Sequence, residues 1–293
     1  MNTATYIINV DTACYTALAA LSAKRHLPFD LRIIDCSRLP EQRLICKRIA
    51  SELNCSYEKW PLKTHGRTLD DLFRSCAEDW IVLLDSDAEI LDPSVFLNGL
   101  SKAQSADYYS VGWIQQTAPA IEAGSPITLY MERPWLPFAA FSASAVRELI
   151  ESGSSFDARR IDNDLLWLPP LLRRPLSFRR HIPVFRSLRL KKLQTRQRSL
   201  SGITSPYYYF DTAAELHRDA IQASQSFECL DWTQHDSSVF HVHGGTRRTL
   251  RTFMLNSDHS KAAVRRAFSR ILELYTDILS KPLVNQIRTA SLL

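Results

Sequence analysis

Trp80-Ile81-Val82-Leu83-Leu84 is an unbroken apolar run that leads directly into Asp85-Ser86-Asp87. A short run of this kind fits a strand buried on both faces of a parallel or mixed sheet, although periodicity alone also admits a buried helix segment. We read it as a central strand. Its carboxyl end then carries Asp85 and Asp87, at the edge where open α/β sheets receive ligands. Residues i and i+2 of an extended chain share a face, so both carboxylates address one guest. Two like charges held together repel and raise a pKa; a hard divalent cation removes the conflict and also holds phosphate oxygens. The same tripeptide is good turn and cap chemistry, so its surroundings decide between the two readings.

The 293 residues, 45% of them apolar, suffice for one large α/β domain or two modest ones. No apolar run is long enough to span a bilayer. Met1 to Thr5 enters an apolar strand without the basic stretch of a signal peptide, which predicts a cytoplasmic protein. The six cysteines, Cys14, Cys36, Cys46, Cys55, Cys76 and Cys229, form no CxxC pair. Neither a zinc knuckle nor a disulfide scaffold is therefore expected.

Tyr6 to Val10 reads as a first strand ending at Asp11, and Thr12 to Lys24, rich in Ala and Leu, as a helix. Leu31 to Ile34 is a second strand, ending at Asp35-Cys36-Ser37. This βαβ unit implies a right-handed crossover and a parallel pair. Asp11 and Asp35 thus belong to the same sheet edge as Asp85 and Asp87; each alone is equally well a helix cap. Glu41 to Leu53 has helical apolar spacing, and a short strand follows near Ser56 to Trp60. Leu69, Leu72, Phe73 and Cys76 repeat at i, i+3, i+4 and i+7, a helix for which Thr68 is the expected cap. Asp92-Pro93 opens a further helix to about Leu100.

In this order the first half resembles the nucleotide-binding half of GT-A glycosyltransferases, in particular the large family 2. The residues that carry the resemblance are Tyr6 to Asp11, Leu31 to Ser37, His65-Gly66-Arg67 and Asp85-Ser86-Asp87. Two departures stand out: Asp35-Cys36-Ser37 replaces the family's Asp-Asp-x-Ser, and His65 stands where Asn is common. Phe156-Asp157, followed by Ile161-Asp162-Asn163-Asp164-Leu165, looks like the family's passage holding the catalytic base, with Ile161 in place of the usual Glu. On that match Asp162 is the base candidate and Asp164 the second choice; either residue is also a reasonable N-cap. Met131 to Phe141, aromatic and proline-rich ahead of a helix capped by Ser142, is similar to an acceptor-facing segment and equally compatible with core packing.

Late in the chain, Val239-Phe240-His241-Val242-His243-Gly244-Gly245 alternates so that His241 and His243 share one strand face. A histidine from the C-terminal part often completes the metal site of GT-A enzymes, and the resemblance implies His243 as ligand, with His241 in reserve. Imidazole suits manganese better than calcium. Thr246, Arg247 and Arg248 follow as phosphate-holding candidates. Residues 173–198 are strongly basic and interleaved with apolar residues, compatible with a solvated loop, an anionic membrane surface or an anionic glycan. No nucleic-acid module accompanies them, so no nucleic-acid partner is expected. Tyr207 to Phe210 is either core or an aromatic platform. Ala263, Val264, Phe268, Ile271, Leu272, Tyr275, Ile278 and Leu279 form one apolar helical stripe expected to dock on the rest of the chain.

The resemblance implies a GT-A α/β domain over residues 1–250, with a nucleotide-binding half at 1–100 and an acceptor half at 101–250. A basic insertion occupies 171–205 of the acceptor half, and a helical tail follows at 251–293. It implies metal-dependent, inverting transfer from a nucleotide-sugar, a UDP-sugar favoured, to a glycan or lipid-linked acceptor, with peripheral membrane contact through 173–198. Asp87 and His243 would hold Mn²⁺ or Mg²⁺, with Asp85 on the ribose or the metal. Asp11, Asp35, His65, Arg67 and Arg247 would serve the donor. Two rivals remain: a sugar-phosphate nucleotidyltransferase, opposed by the glycine-free turn Asp11-Thr12-Ala13-Cys14, and an inactive carbohydrate- or membrane-binding protein, suggested by Ile161.

Overall fold

The computed structural model describes residues 1–115, 127–130, 132–162, 207–242 and 258–291. Its first strand β1 (Thr3–Asn9) leads through α1 (Ala13–His26) into β2 (Asp30–Asp35), which lies parallel to β1. α1 is buried along nearly its whole length, and its small residues Ala17, Ala19 and Ala20 sit flush in the core. Next come α2 (Pro40–Glu52), opened by Pro40 where a missing N–H costs nothing, and β3 (Ser56–Lys59). α3 (His65–Ser75) follows, capped by Thr64, whose hydroxyl accepts from the Arg67 amide at 3.4 Å. The expected cap, Thr68, lies one turn inside this helix and donates its hydroxyl back to the Thr64 carbonyl at 3.1 Å. The periodicity located the helix; the β-branched residue one turn earlier starts it.

The opening apolar run is β4 (Trp80–Asp85), buried on both faces up to its last residue. Each of its fully buried aliphatic side chains contributes about 1.5–3 kcal/mol of burial. A turn through Ser86 and Asp87 leads to the short β5 (Ala88–Ile90), then α4 (Ser94–Ser105) and β6 (Ser110–Gln115). Asp92, just ahead of the N-cap Pro93, accepts from the Ser94 amide at 2.9 Å.

β7 (Ile127–Tyr130) is followed by β8 (Arg133–Ser142), then α5 (Ala143–Glu151) and β9 (Arg159–Asp162). After the undescribed 163–206 come β10 (Tyr207–Phe210), α6 (Ala214–Gln222) and β11 (Phe227–Cys229). A 3-10 turn (Trp232–Gln234), α7 (His235–Ser238), β12 (Val239–His241), α8 (Asp258–Tyr275) and α9 (Lys281–Ser291) complete the chain.

The main sheet runs β11-β6-β8-β4-β1-β2-β3, so β4 stands at its middle, as the sequence predicts. It is mostly parallel, with β8 antiparallel to both β4 and β6. β8 is buried at every position; the aromatic and proline-rich segment from Arg133 onward is therefore core. One core cluster joins Ile7, Val82, Leu84 and α1 to Ile271, Tyr275, Leu283 and Ile287 of the last two helices. The apolar stripe of the tail thus docks on α1, except that Leu272 and Ile278 are 42% and 40% exposed. No helix among the described residues is long and apolar enough to cross a membrane.

Candidate metal centre

Parallel register places the ends of β1, β2 and β4 side by side: Asn9 lies opposite Asp35, and Ile8 opposite Asp85. At this edge β4 surfaces, leaving the side chain of Asp85 27% exposed. The chain turns at Ser86, whose hydroxyl lies 3.3 Å from that of Thr12 at the start of α1. Asp87 then points back inward, its side chain 2% exposed.

β12 closes on this turn from the far end of the chain. It pairs antiparallel with β5, His241 opposite Ala88, and the Val242 amide donates to the Asp87 carbonyl at 2.8 Å. The pairing brings His241 Nε2 to 3.3 Å from Asp87 Oδ1. One ligand atom from each of Asp85, Asp87 and His241 lies within 4.8 Å of the others, a group suited to one cation. His241, the reserve choice of the sequence, is thus the histidine at the carboxylates; His243 lies outside the described residues.

Burial raises the pKa of Asp85, and the neighbouring Asp87 adds to that rise, while His65, His241 and Arg133 oppose it. His65 Nε2 is 4.0 Å from Asp85 Oδ1, so the first residue of α3 faces the same acid. Two carboxylates and an imidazole are the donor set that Mn²⁺ accepts readily and Mg²⁺ accepts through its oxygens. The residues present therefore fit a divalent cation.

The other acids at this edge behave differently. Asp35 is fully buried. Its Oδ1 accepts from the Asn9 amide and the Ser37 backbone N–H, both at 3.0 Å, and its Oδ2 from the Tyr57 hydroxyl at 2.8 Å. Asp11, at φ 53°, accepts from the backbone N–H groups of Arg38 and Leu39 at 2.9 and 3.0 Å and from Arg38 Nε at 3.1 Å. Both carboxylates thus bind the first two βα turns together, and neither reaches the surface beside Asp85. Arg67, expected to serve the donor, pairs with Asp157 at 3.2 Å, and Thr64 donates its hydroxyl to the same carboxylate at 2.6 Å. Asp162 ends β9 opposite Tyr207, and the residues that follow it to 206 lie outside the described ones. Asp164, Arg247, Thr246, Arg248 and the basic stretch lie outside the described residues.

Gly66 permits the closest approach in this region. A Cβ there would stand 2.3 Å from Asp157 Cα and 2.5 Å from Asp157 N. Glycine lets the start of α3 meet the Phe156-Asp157 backbone.

Arg133, Trp135, His235 and Trp232 lie around the triad. Arg133, 10% exposed, donates to Gln115 Oε1 at 2.7 Å and to Asp211 Oδ2 at 3.0 Å. The ring of Trp135 meets that of His241 edge-on at 5.3 Å and that of His235 at 4.5 Å. Trp232 lies tilted against His235 with ring centres 4.7 Å apart and is 43% exposed. Its indole N–H donates to the Ile114 carbonyl at 2.8 Å.

No protein-family model matches the sequence, and no curated protein matches it. Solved structures do. A mannosyltransferase from Pyrobaculum calidifontis in complex with GDP-Man and Mn²⁺ is 9% identical, with 99% of this chain and 79% of that chain covered at a TM-score of 0.40. The glucosyl-3-phosphoglycerate synthase of Mycobacterium tuberculosis, in complex with Mn²⁺, UDP and glucosyl-3-phosphoglycerate, is 12% identical over 52% of this chain and 59% of that chain, at 0.36. The 4-diphosphocytidyl-2C-methyl-D-erythritol synthase of Anaerococcus prevotii is 8% identical over 51% and 74%, at 0.38.

Proposed function

We propose that the chain is a metal-dependent glycosyltransferase that moves a sugar from a nucleoside-diphosphate donor to an acceptor hydroxyl. The observation that carries this reading is the meeting of Asp85, Asp87 and His241 at the carboxyl end of the central strand. In the family that the sequence resembles, an Asp-x-Asp at this point of the chain serves the donor diphosphate.

Asp87 and His241 would hold Mn²⁺ or Mg²⁺, with Asp85 as third ligand or on the ribose. When bound, the cation offsets negative charge on the departing diphosphate. The protein's own contribution is to fix these groups in advance. Asp87 is held in its buried turn and His241 is brought to it by the pairing of β12 with β5, so little reorganisation accompanies donor binding. Asp11 and Asp35 shape the floor of the donor crevice through Ser37 and the start of α2 rather than by touching a base. His65, beside Asp85, faces the donor side.

Asp162 is the candidate that would take the proton of the acceptor hydroxyl, and a single displacement would invert configuration. The exposed Trp232, joined to His241 through Trp135 and His235, is the candidate to pack against a sugar ring. A soluble or peripheral cytoplasmic location, and a glycan or lipid-linked acceptor, accord with the basic stretch 173–198.

A thermal-shift panel of UDP-, GDP- and dTDP-sugars with and without Mn²⁺ tests the reading, because a ligand that binds only the native state raises the melting temperature. One nucleotide class should stabilise the protein, and only with the metal. Stabilisation indifferent to Mn²⁺, or none in the whole panel, contradicts the assignment.

A further inference from the structure

β12, which carries His241, is three residues long and pairs only with the equally short β5 among the described residues. A two-stranded ribbon of this size has little stability of its own, while a metal ligand must be held within a few tenths of an ångström of its place. The question is what holds it.

Register answers for one face. Glu89 lies opposite Phe240, and Ala88 opposite His241. Directly opposed residues share a face and successive residues alternate, so Glu89 and Phe240 occupy the side of the ribbon away from the metal cluster. α8 lies on that side. Glu89 is 1% exposed; it takes both Nε and Nη2 of Arg270, the latter at 2.9 Å, and the Tyr275 hydroxyl at 3.2 Å. The guanidinium of Arg270 stands 5.6 Å from the centre of the Phe240 ring, and that of Arg266 4.4 Å from it. One helix thus grips a residue on each strand of the ribbon. The helix is itself anchored by Ala267, Ile271 and Tyr275, all buried against the core that contains α1. α1 also ties down the front of the ribbon, since Ser22 accepts from the Ile90 amide at 3.1 Å.

We infer that α8 is a strap for the metal centre: Arg270 and Arg266 act as positioning residues that hold His241 at the carboxylates by clamping Glu89 and Phe240 from behind. This rests on the reading of Asp85, Asp87 and His241 as a cation site. Arg270 is suited to the task because its planar fork satisfies a buried carboxylate at two points while lying over an aromatic ring. Removing it would leave Glu89 as an uncompensated buried charge, and the ribbon would loosen first.

The test uses the full chain as wild type, Arg270→Ala, Arg270→Lys and Arg266→Ala. Mn²⁺ affinity is read from the electron paramagnetic resonance of the free ion, and amide exchange is followed across residues 239–242 with residues 3–9 as control. Arg270→Ala should weaken Mn²⁺ binding by about 10-fold or more, the usual effect of losing support behind a ligand, and should speed exchange in 239–242 without changing 3–9. Arg270→Lys should recover part of the affinity, and Arg266→Ala, an exposed position that leaves the buried pair intact, should lose a few-fold by the same measure. If Arg270→Ala fails to fold, Arg266→Ala and Arg270→Lys carry the comparison. Wild-type Mn²⁺ affinity in the folded variants overturns the strap, whatever the exchange rates. Failure of the wild type to bind Mn²⁺ overturns the cation reading itself and leaves α8 as a packing helix only.

Discussion

The side-chain amide of Asn9 donates to Asp35 at 3.0 Å in the fully buried seam between β1 and β2. The Tyr57 hydroxyl from β3 satisfies the other oxygen at 2.8 Å, so this strand-end carboxylate is spent within the protein. Asp35→Ala would remove the carboxylate that accepts from the Asn9 amide, the Ser37 backbone N–H and the half-buried Tyr57 hydroxyl, each lost bond costing about 1–3 kcal/mol. Urea unfolding should show that loss, while the nucleotide-dependent rise in melting temperature keeps its wild-type size. A variant of normal stability that no longer responds to nucleotide would mean that Asp35 contacts the base.

Gly66→Ala should destabilise the protein. In an ordinary helix the exchange gains up to about 1 kcal/mol. Here the added carbon meets Asp157 backbone atoms at 2.3 and 2.5 Å, and overpacking of this kind costs about 1–3 kcal/mol or more. A neutral or stabilised variant in thermal unfolding would show that residues 156–157 yield freely.

His217 gives stability a pH dependence of defined sign. Burial, reinforced by the charge of Arg133, pushes its pKa from 6.5 down to about 4, and its Nδ1 is engaged by the Tyr109 hydroxyl. Between those values the unfolded chain binds a proton that the folded chain refuses. Its contribution is therefore complete above about pH 6.5 and declines as pH falls towards 4, by up to about 3 kcal/mol. Urea midpoints from pH 7 to pH 4.5 should fall less steeply in His217→Asn than in wild type. Parallel curves would contradict the buried neutral state.

Local pattern made the strand–helix order legible. The apolar run 80–84, the Ala-rich α1 and the stripe Leu69, Leu72, Phe73 each act through contacts that periodicity encodes. Non-local pairing decided the rest. Alternation in the sequence leaves His241 and His243 as equal candidates, and it is the register of His241 against Ala88 that brings this histidine to Asp87. Whether Asp35 lies within the sheet or beyond it depends on Tyr57, contributed by a different strand. Trp135 reads as a candidate for an acceptor surface until β8 is seen inserted antiparallel between β4 and β6, which leaves it 8% exposed. Glu89 carried a faint signal, an acid between Ala88 and Ile90 in an apolar strand, yet its partner Arg270 lies on a helix near the other end of the chain.

Mn²⁺ binding by the wild type, Asp87→Asn and His241→Ala, followed by the resonance of the free ion, tests the central claim most directly. The wild type should bind one ion, and each substitution should weaken binding about 10- to 100-fold or more while leaving the fold melting as a single cooperative unit. Equal affinity in all three proteins, or a wild type indifferent to the metal, would contradict a cation held between the end of the central strand and His241.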